Sequence, residues 1–290
     1  MPMVTKLRLS PSRASDFRTC PQLYKFRVVD RLPEPPSEPQ LRGTIVHKAL
    51  ELLFALPASE RTREAASKSL LDSLDYHRGD IKELSQSLGK EAISEEGSNF
   101  PNLRTSCPPS STNELTERIR SAGEKLLDNY FKLEDPASVE PLATEKWVSA
   151  VLFLSTGDED VNGASQTELV GVIDRLERSP SGRLLITDYK TGSAPPKNYE
   201  RDAFFGLRFY SLILAKLGKL TDQPPRIRLF YLQDAEVIEE DVTDATIAFT
   251  SKLITAVADA IKKALDTGDW RPNPGPLCDY CSFRRVCPAF

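Results

Sequence analysis

Asp174, Asp188 and Lys190 stand at the ends of two apolar runs, Gly171-Val172-Ile173-Asp174-Arg175 and the segment that closes on Asp188-Tyr189-Lys190-Thr191-Gly192. Two carboxylates meeting at one sheet edge supply hard oxygen ligands for Mg2+ or Mn2+ and leave positions for water and a phosphate oxygen. An ammonium beside them can orient or help deprotonate the attacking water and offset charge in the transition state. The set suits hydrolysis of a phosphodiester. The same residues also permit a plainer arrangement, with Asp174 paired to Arg175 or Arg183 and Asp188 to Lys190. A second group is made of sulfur. Cys278, Cys281 and Cys287 form a C-x2-C-x5-C run, and Cys20 is a distant fourth thiol. Spacing alone allows a structural four-cysteine zinc site or an iron–sulfur cluster, and either would tie the chain's opening to its C-terminus.

The elements that must position these groups follow from periodicity. Residues 145–154, 168–177 and 183–189 are rich in Val, Ile, Leu and aromatics, and the Ser179-Pro180-Ser181-Gly182 turn joins the last two, which predicts an antiparallel meander. Strand alternation then turns Asp188 and Lys190 to one side and Tyr189 to the other. Ser10-Pro11 reads as a helix start carrying Phe17 and Cys20 toward Tyr24 and Phe26. Residues 41–56 read as a largely buried helix with His47 inside it, and 60–77, 113–133, 200–217 and 244–267 as further helices. Strands are predicted over 226–232 and 236–241. The polar stretch 79–113, with Cys107 as a free thiol, reads as a flexible insertion, and the connection after residue 155 as a long acidic loop. His77 matches no motif and is assigned to the surface.

The composition suits a chain with its own core: 290 residues, 40% hydrophobic and 28% charged, which predicts one large domain with insertions. No apolar stretch approaches the roughly 20 residues of a membrane span, and the start lacks the apolar core of a signal peptide, so a cytoplasmic location is expected. Five cysteines in a reducing compartment point to metal rather than disulfides. A net charge of −4 argues against a uniformly basic duplex-coating surface. Residues 1–50, however, hold nine Lys or Arg against four acids. With Arg271, Arg284 and Arg285 they predict a positive patch that tracks a phosphate backbone. Phe17, Tyr24 and Phe26 beside it could stack bases or fill the core.

In order and spacing these motifs resemble the RecB-like branch of the PD-(D/E)XK nucleases. That branch includes the iron–sulfur members among CRISPR-associated exonucleases and the AddB subunit of recombination nucleases. The resemblance covers most of the chain: the opening from Ser10 to Cys20-Pro21 and Tyr24, Gly43-Thr44-Ile45-Val46-His47, Gly171 to Arg175, Asp188 to Gly192, Tyr210, and the terminal cysteine run. It implies an α/β restriction-endonuclease-like core, a central mixed sheet flanked by helices, with the termini clasped by a [4Fe-4S] cluster on Cys20, Cys278, Cys281 and Cys287. It implies one nuclease domain over 1–290: a helical part to about 140, a core over 141–268, and a cluster-binding segment over 269–290 plus Cys20. Asp174 and Asp188 become ligands of Mg2+ or Mn2+, His47 a further ligand, Lys190 the catalytic lysine and Tyr210 a catalytic-site residue, with Glu145 in support. The implied activity is a metal-dependent exonuclease on DNA, preferentially single-stranded, in repair or recombination beside a helicase or recombination partner. One position departs from the family: Gly206 stands where glutamine is usual, four residues before Tyr210, which leaves Arg208 as a substitute phosphate contact. That departure also allows an iron–sulfur DNA-binding accessory protein with weak or no nuclease activity.

Overall fold

A computed structural model describes residues 7–34, 37–94, 111–153, 166–220 and 223–290. The N-terminal part is mostly helical: α1 (Pro11–Thr19), α2 (Pro21–Tyr24), α3 (Glu38–Phe54), α4 (Arg63–Tyr76), α5 (Arg78–Ser94) and α6 (Thr112–Leu133), preceded by the strand β1 (Leu7–Leu9). Then follow β2 (Pro141–Phe153), β3 (Gln166–Arg178), β4 (Leu184–Lys190), a short α7 (Glu200–Ala203), α8 (Phe205–Lys216), β5 (Arg226–Tyr231), β6 (Glu236–Asp241) and α9 (Asp244–Thr267). The result is a mixed sheet flanked by helices, as expected.

The helices begin where side chains cap them. Ser10 Oγ accepts from Arg13 N with Pro11 in the first turn, and Ser37 does the same for Gln40 N at the start of α3. At the other end of the chain, Gly268 takes the left-handed φ of 71° that stops α9. Two apolar clusters lie on the sheet. One, including Ile213, Ile227 and Ile261, packs α8 and α9 against it; the other, including Ile45, Leu70, Leu127 and Tyr189, is shared with α3, α4 and α6.

The pairing around β3 makes the site. β2 pairs antiparallel with β3 over 166–177, so it fills one edge of that strand. β1, parallel, covers 167–169 and β4, antiparallel, covers 175–178, so both must share the other edge. Among the described residues, 170–174 therefore have no strand partner on that edge. Because β1 and β4 run toward each other, their C-terminal ends both point into this gap.

Two expectations change, one strand is added and one open alternative resolves to the core. The three-residue β1 is too short for alternation to reveal. The stretch 79–113 is not wholly an insertion: α5 occupies its start, where Ile81 and Leu84 are buried at an apolar spacing sparse enough to pass for loop. The predicted 200–217 helix breaks at Phe204 into α7 and α8. Tyr24 and Phe26 are buried, with Tyr24 stacked on Trp270 and Phe26 against Phe283, so these rings are core rather than a base-stacking surface. Cys107 and most of the acidic connection lie outside the described residues.

Candidate active site

β3 carries Asp174 at the edge of the gap, and its neighbours supply two more carboxylates. The register Thr144↔Arg175 and Lys146↔Ile173 sets Glu145 opposite Asp174 across β2, while Arg175↔Thr187 brings Asp188 opposite it on β4. Three acids thus stand in a row over three strands, an arrangement of like charges that is unfavourable unless a cation joins them. Glu145 also adopts a left-handed φ of 45°, uncommon for a residue with a side chain.

α3 contributes His47 from the side. Its Nε2 lies 2.8 Å from the carbonyl of Tyr189, an acceptor only, so Nε2 carries the hydrogen. Nδ1 then presents a lone pair 3.3 Å from Asp174 Oδ2. One ligand atom each from His47, Glu145 and Asp174 falls within a mutual 4.8 Å. Asp174 accepts the Tyr189 N–H at 2.9 Å, and the buried Oδ2 of Asp188 has no partner in hydrogen-bonding geometry although Lys190 Nζ stands 2.5 Å away. Converging lone pairs and buried carboxylate oxygens fit a divalent cation with mostly oxygen ligands. His47 and Glu145 join Asp174 and Asp188 as the residues that would hold it.

Electrostatics agree with that donor set. Burial first, and the neighbouring Asp188 second, push the Asp174 carboxyl up to about 7, with His47 pulling the other way. Burial also raises Glu145, against the pull of His47. For Lys190, desolvation pulls down while Asp188 pulls up, and the net direction is upward. Its side chain is 44% exposed, which weakens the desolvation. Lys190 is therefore an ammonium, suited to stabilising negative charge and unsuited to taking a proton from water.

Tyr210 reaches the gap from α8. Its ring lies directly on Gly171, where a Cβ would stand 2.4 Å from Tyr210 Cε1, and the backbone of Val172 hydrogen-bonds to its hydroxyl. Tyr210 thereby occupies the vacant edge of β3, and glycine at 171 is what lets it do so. Beside it opens a cavity of about 530 Å3, lined by Asp188, Lys190, Tyr210 and Gly206 and by Ser10 and Ser12 of the opening segment. A second cavity, about 450 Å3, lies over His47 and Glu145 and includes His77, whose Nδ1 bonds to Asp80.

Sequence reasoning missed the support beneath the site. Arg175 is fully buried; it pairs with Glu134, bonds Glu177 at 3.0 Å, and donates to the Tyr189 hydroxyl at 2.7 Å. Tyr189 in turn gives its carbonyl to His47 and its N–H to Asp174, so this network fixes two candidate ligands at once. The available signal was the Arg next to Asp174 and the Tyr facing away from Asp188 and Lys190. Arg208 is occupied within the protein. It pairs bidentately with Glu240 and bonds the Arg201 carbonyl at 2.8 Å, and it lines a different cavity from the one beside Asp188 and Lys190. The basic patch is likewise partly neutralised, by Arg27 with Asp16 and Glu34, Arg271 with Asp269, and Arg284 with Asp279.

The four cysteines do meet. Cys20 sits extended in the break between α1 and α2, and it lines one small cavity, about 60 Å3, with Cys278, Cys281 and Cys287. All four thiols are free. Asn273 N and Gly275 N each lie 3.4 Å from a sulfur, Cys20 and Cys278 respectively, and Asn273 Nδ2 bonds the Thr19 carbonyl at 3.0 Å.

Residues 8–288 match the sequence profile of the PD-(D/E)XK nuclease superfamily. The "Gene 69 protein" of Mycobacterium phage L5 is 22% identical over 301 residues, covering 97% of this chain and 96% of the phage protein. A crystal structure named as a "putative exonuclease" from Eubacterium rectale aligns over 97% of this chain and 89% of its own, at 13% identity and a TM-score of 0.47. Spanning nearly its whole length, the profile match establishes that this chain belongs to the PD-(D/E)XK nuclease superfamily.

Proposed function

We propose that the chain is a metal-dependent deoxyribonuclease of the RecB-like branch, an exonuclease preferring single-stranded DNA in repair or recombination, alongside a helicase or recombination partner. The observation that carries this is the convergence of Asp174, Asp188, Glu145 and His47, with Lys190, on the gap between β1 and β4. A bound Mg2+ or Mn2+ would supply Lewis acidity and an activated water there. The chain's own part is positional. Asp174 and Asp188 hold the row of oxygens, Glu145 and His47 complete it, and Lys190 offers an ammonium to the negative charge that develops on the phosphate. Tyr210, bonded to Val172 rather than free in the cleft, acts as a positioning residue.

The cysteine clasp belongs to the same reading as a [4Fe-4S] cluster. Thiolates on one zinc ion, at about 2.3 Å, would lie roughly 3.8 Å apart. The four cysteines line one small cavity, a convergence that either a zinc ion or the larger cluster would use. Backbone N–H groups directed at Cys20 and Cys278 suit either thiolate set.

Anaerobic purification followed by digestion of end-labelled single- and double-stranded oligonucleotides with Mn2+ tests the function. Brown protein that shortens single strands from an end is expected. Colourless protein removes the cluster, and DNA binding without cleavage selects the accessory reading that Gly206 suggested.

A further inference from the structure

Trp147 is a feature that hydrolysis alone does not call for. It lies on β2 two residues beyond Glu145 and is 51% exposed, whereas the chain's other tryptophan, Trp270, is 8% exposed and stacked on Tyr24. Trp147 lines the same cavity as Asp188 and Lys190. The guanidinium of Arg8 stands 5.1 Å from the Trp147 ring centroid, and that of Arg18 stands 4.5 Å from Phe205, another residue of the cavity wall. Neither arginine makes an ion pair among the described residues. Gly206 keeps the space open: a Cβ there would meet only Pro11, at 3.8 Å.

We propose that Trp147, with Arg8, forms a subsite that stacks the nucleobase next to the scissile phosphate. The inference rests on the nuclease reading of the adjoining acids and names what the cavity beside them takes. A flat indole and a planar guanidinium offer π faces to a flat ligand, and base-on-aromatic stacking tolerates any base sequence. The charges of Arg8 and Arg18 remain for flanking phosphates, whereas an aliphatic occupant would leave both unmatched. Two residues of strand separate Trp147 from Glu145, about 7 Å, which is on the scale of one nucleotide. A duplex keeps its bases paired and stacked inside, so this platform favours single strands and frayed ends.

The test reads binding in EDTA with the full chain. A fluorescein-labelled twelve-residue oligothymidylate is compared with the same strand carrying abasic units in place of its bases. Wild type is expected to bind the intact strand on the order of 10-fold more tightly, with quenching of tryptophan emission. Trp147→Ala should lose that preference and bind both strands as wild type binds the abasic one. Trp147→Phe should keep the preference and lose the quench. A full preference retained in Trp147→Ala overturns the subsite, as does wild-type protein that binds both strands equally or neither. Since no metal is present, preference without Mn2+-dependent cleavage would uphold the subsite and remove only the nuclease reading.

Discussion

Asp174 shows how far one residue's chemistry is set by its neighbours. An acid buried between Glu145 and Asp188 holds its proton up to about 7, against 3.8 for the free group. The folded, metal-free chain therefore binds a proton that the unfolded chain releases near pH 4. This stabilising contribution is complete below pH 4 and is lost as the pH rises through 7. Thermal melts in EDTA should show the wild type losing more stability between pH 5 and 8 than Asp174→Asn; equal slopes would contradict the assignment. At this scale the sequence was informative where chemistry repeats with strand alternation, as for Asp188 and Lys190 on one side of Tyr189. It was uninformative for Arg208, whose partner Glu240 is 32 residues away on β6 and visible only in the fold.

Among the elements, the sheet's edges were the hidden part. The meander of β2, β3 and β4 follows from apolar runs and a proline-glycine turn. The gap that makes a cleft depends on β1, three residues long and parallel, which no local pattern announces. Gly171 was legible as part of a motif, yet its reason is the Tyr210 ring lying on it from α8. Beneath the cleft, α6 ends by presenting Glu134 to Arg175, a charge pair with Arg175 wholly buried. Removing Glu134 leaves the buried Arg175 with Glu177 alone as its counter-charge, and Glu177 is shared with Arg228. Glu134→Gln should lower unfolding stability by about 1–3 kcal/mol, read by urea denaturation, and a change near zero would show that the network does not brace β3 and β4.

For the whole molecule, the termini are joined on both sides of the cysteines. Trp270 stacks on Tyr24, Phe283 packs on Phe26, and Ser282 bonds Glu34. Closing a loop of this length costs roughly 5 kcal/mol in chain entropy, which the proposed cluster would help to offset. Cys281→Ser should lose the brown colour, lower the thermal midpoint by about 10 °C, and expose residues 269–290 to protease. Unchanged melting would deny the clasp a structural role. Cysteine spacing alone points to this contact, because three closely spaced thiols and a distant fourth suggest one shared site. The aromatic pairs that seal it are legible in the sequence only as apolar residues near each end.

The central claim, that the acids around the β1–β4 gap and Lys190 form a hydrolytic centre separate from the clasp, is tested most directly by one comparison. Mn2+-dependent cleavage of an end-labelled single strand is measured for wild type, Asp188→Ala and Lys190→Ala, each purified anaerobically. Cleavage by the wild type and a loss on the order of 100-fold or more in both variants are expected, with cluster absorbance and melting temperature retained. Equal cleavage by all three proteins would contradict it.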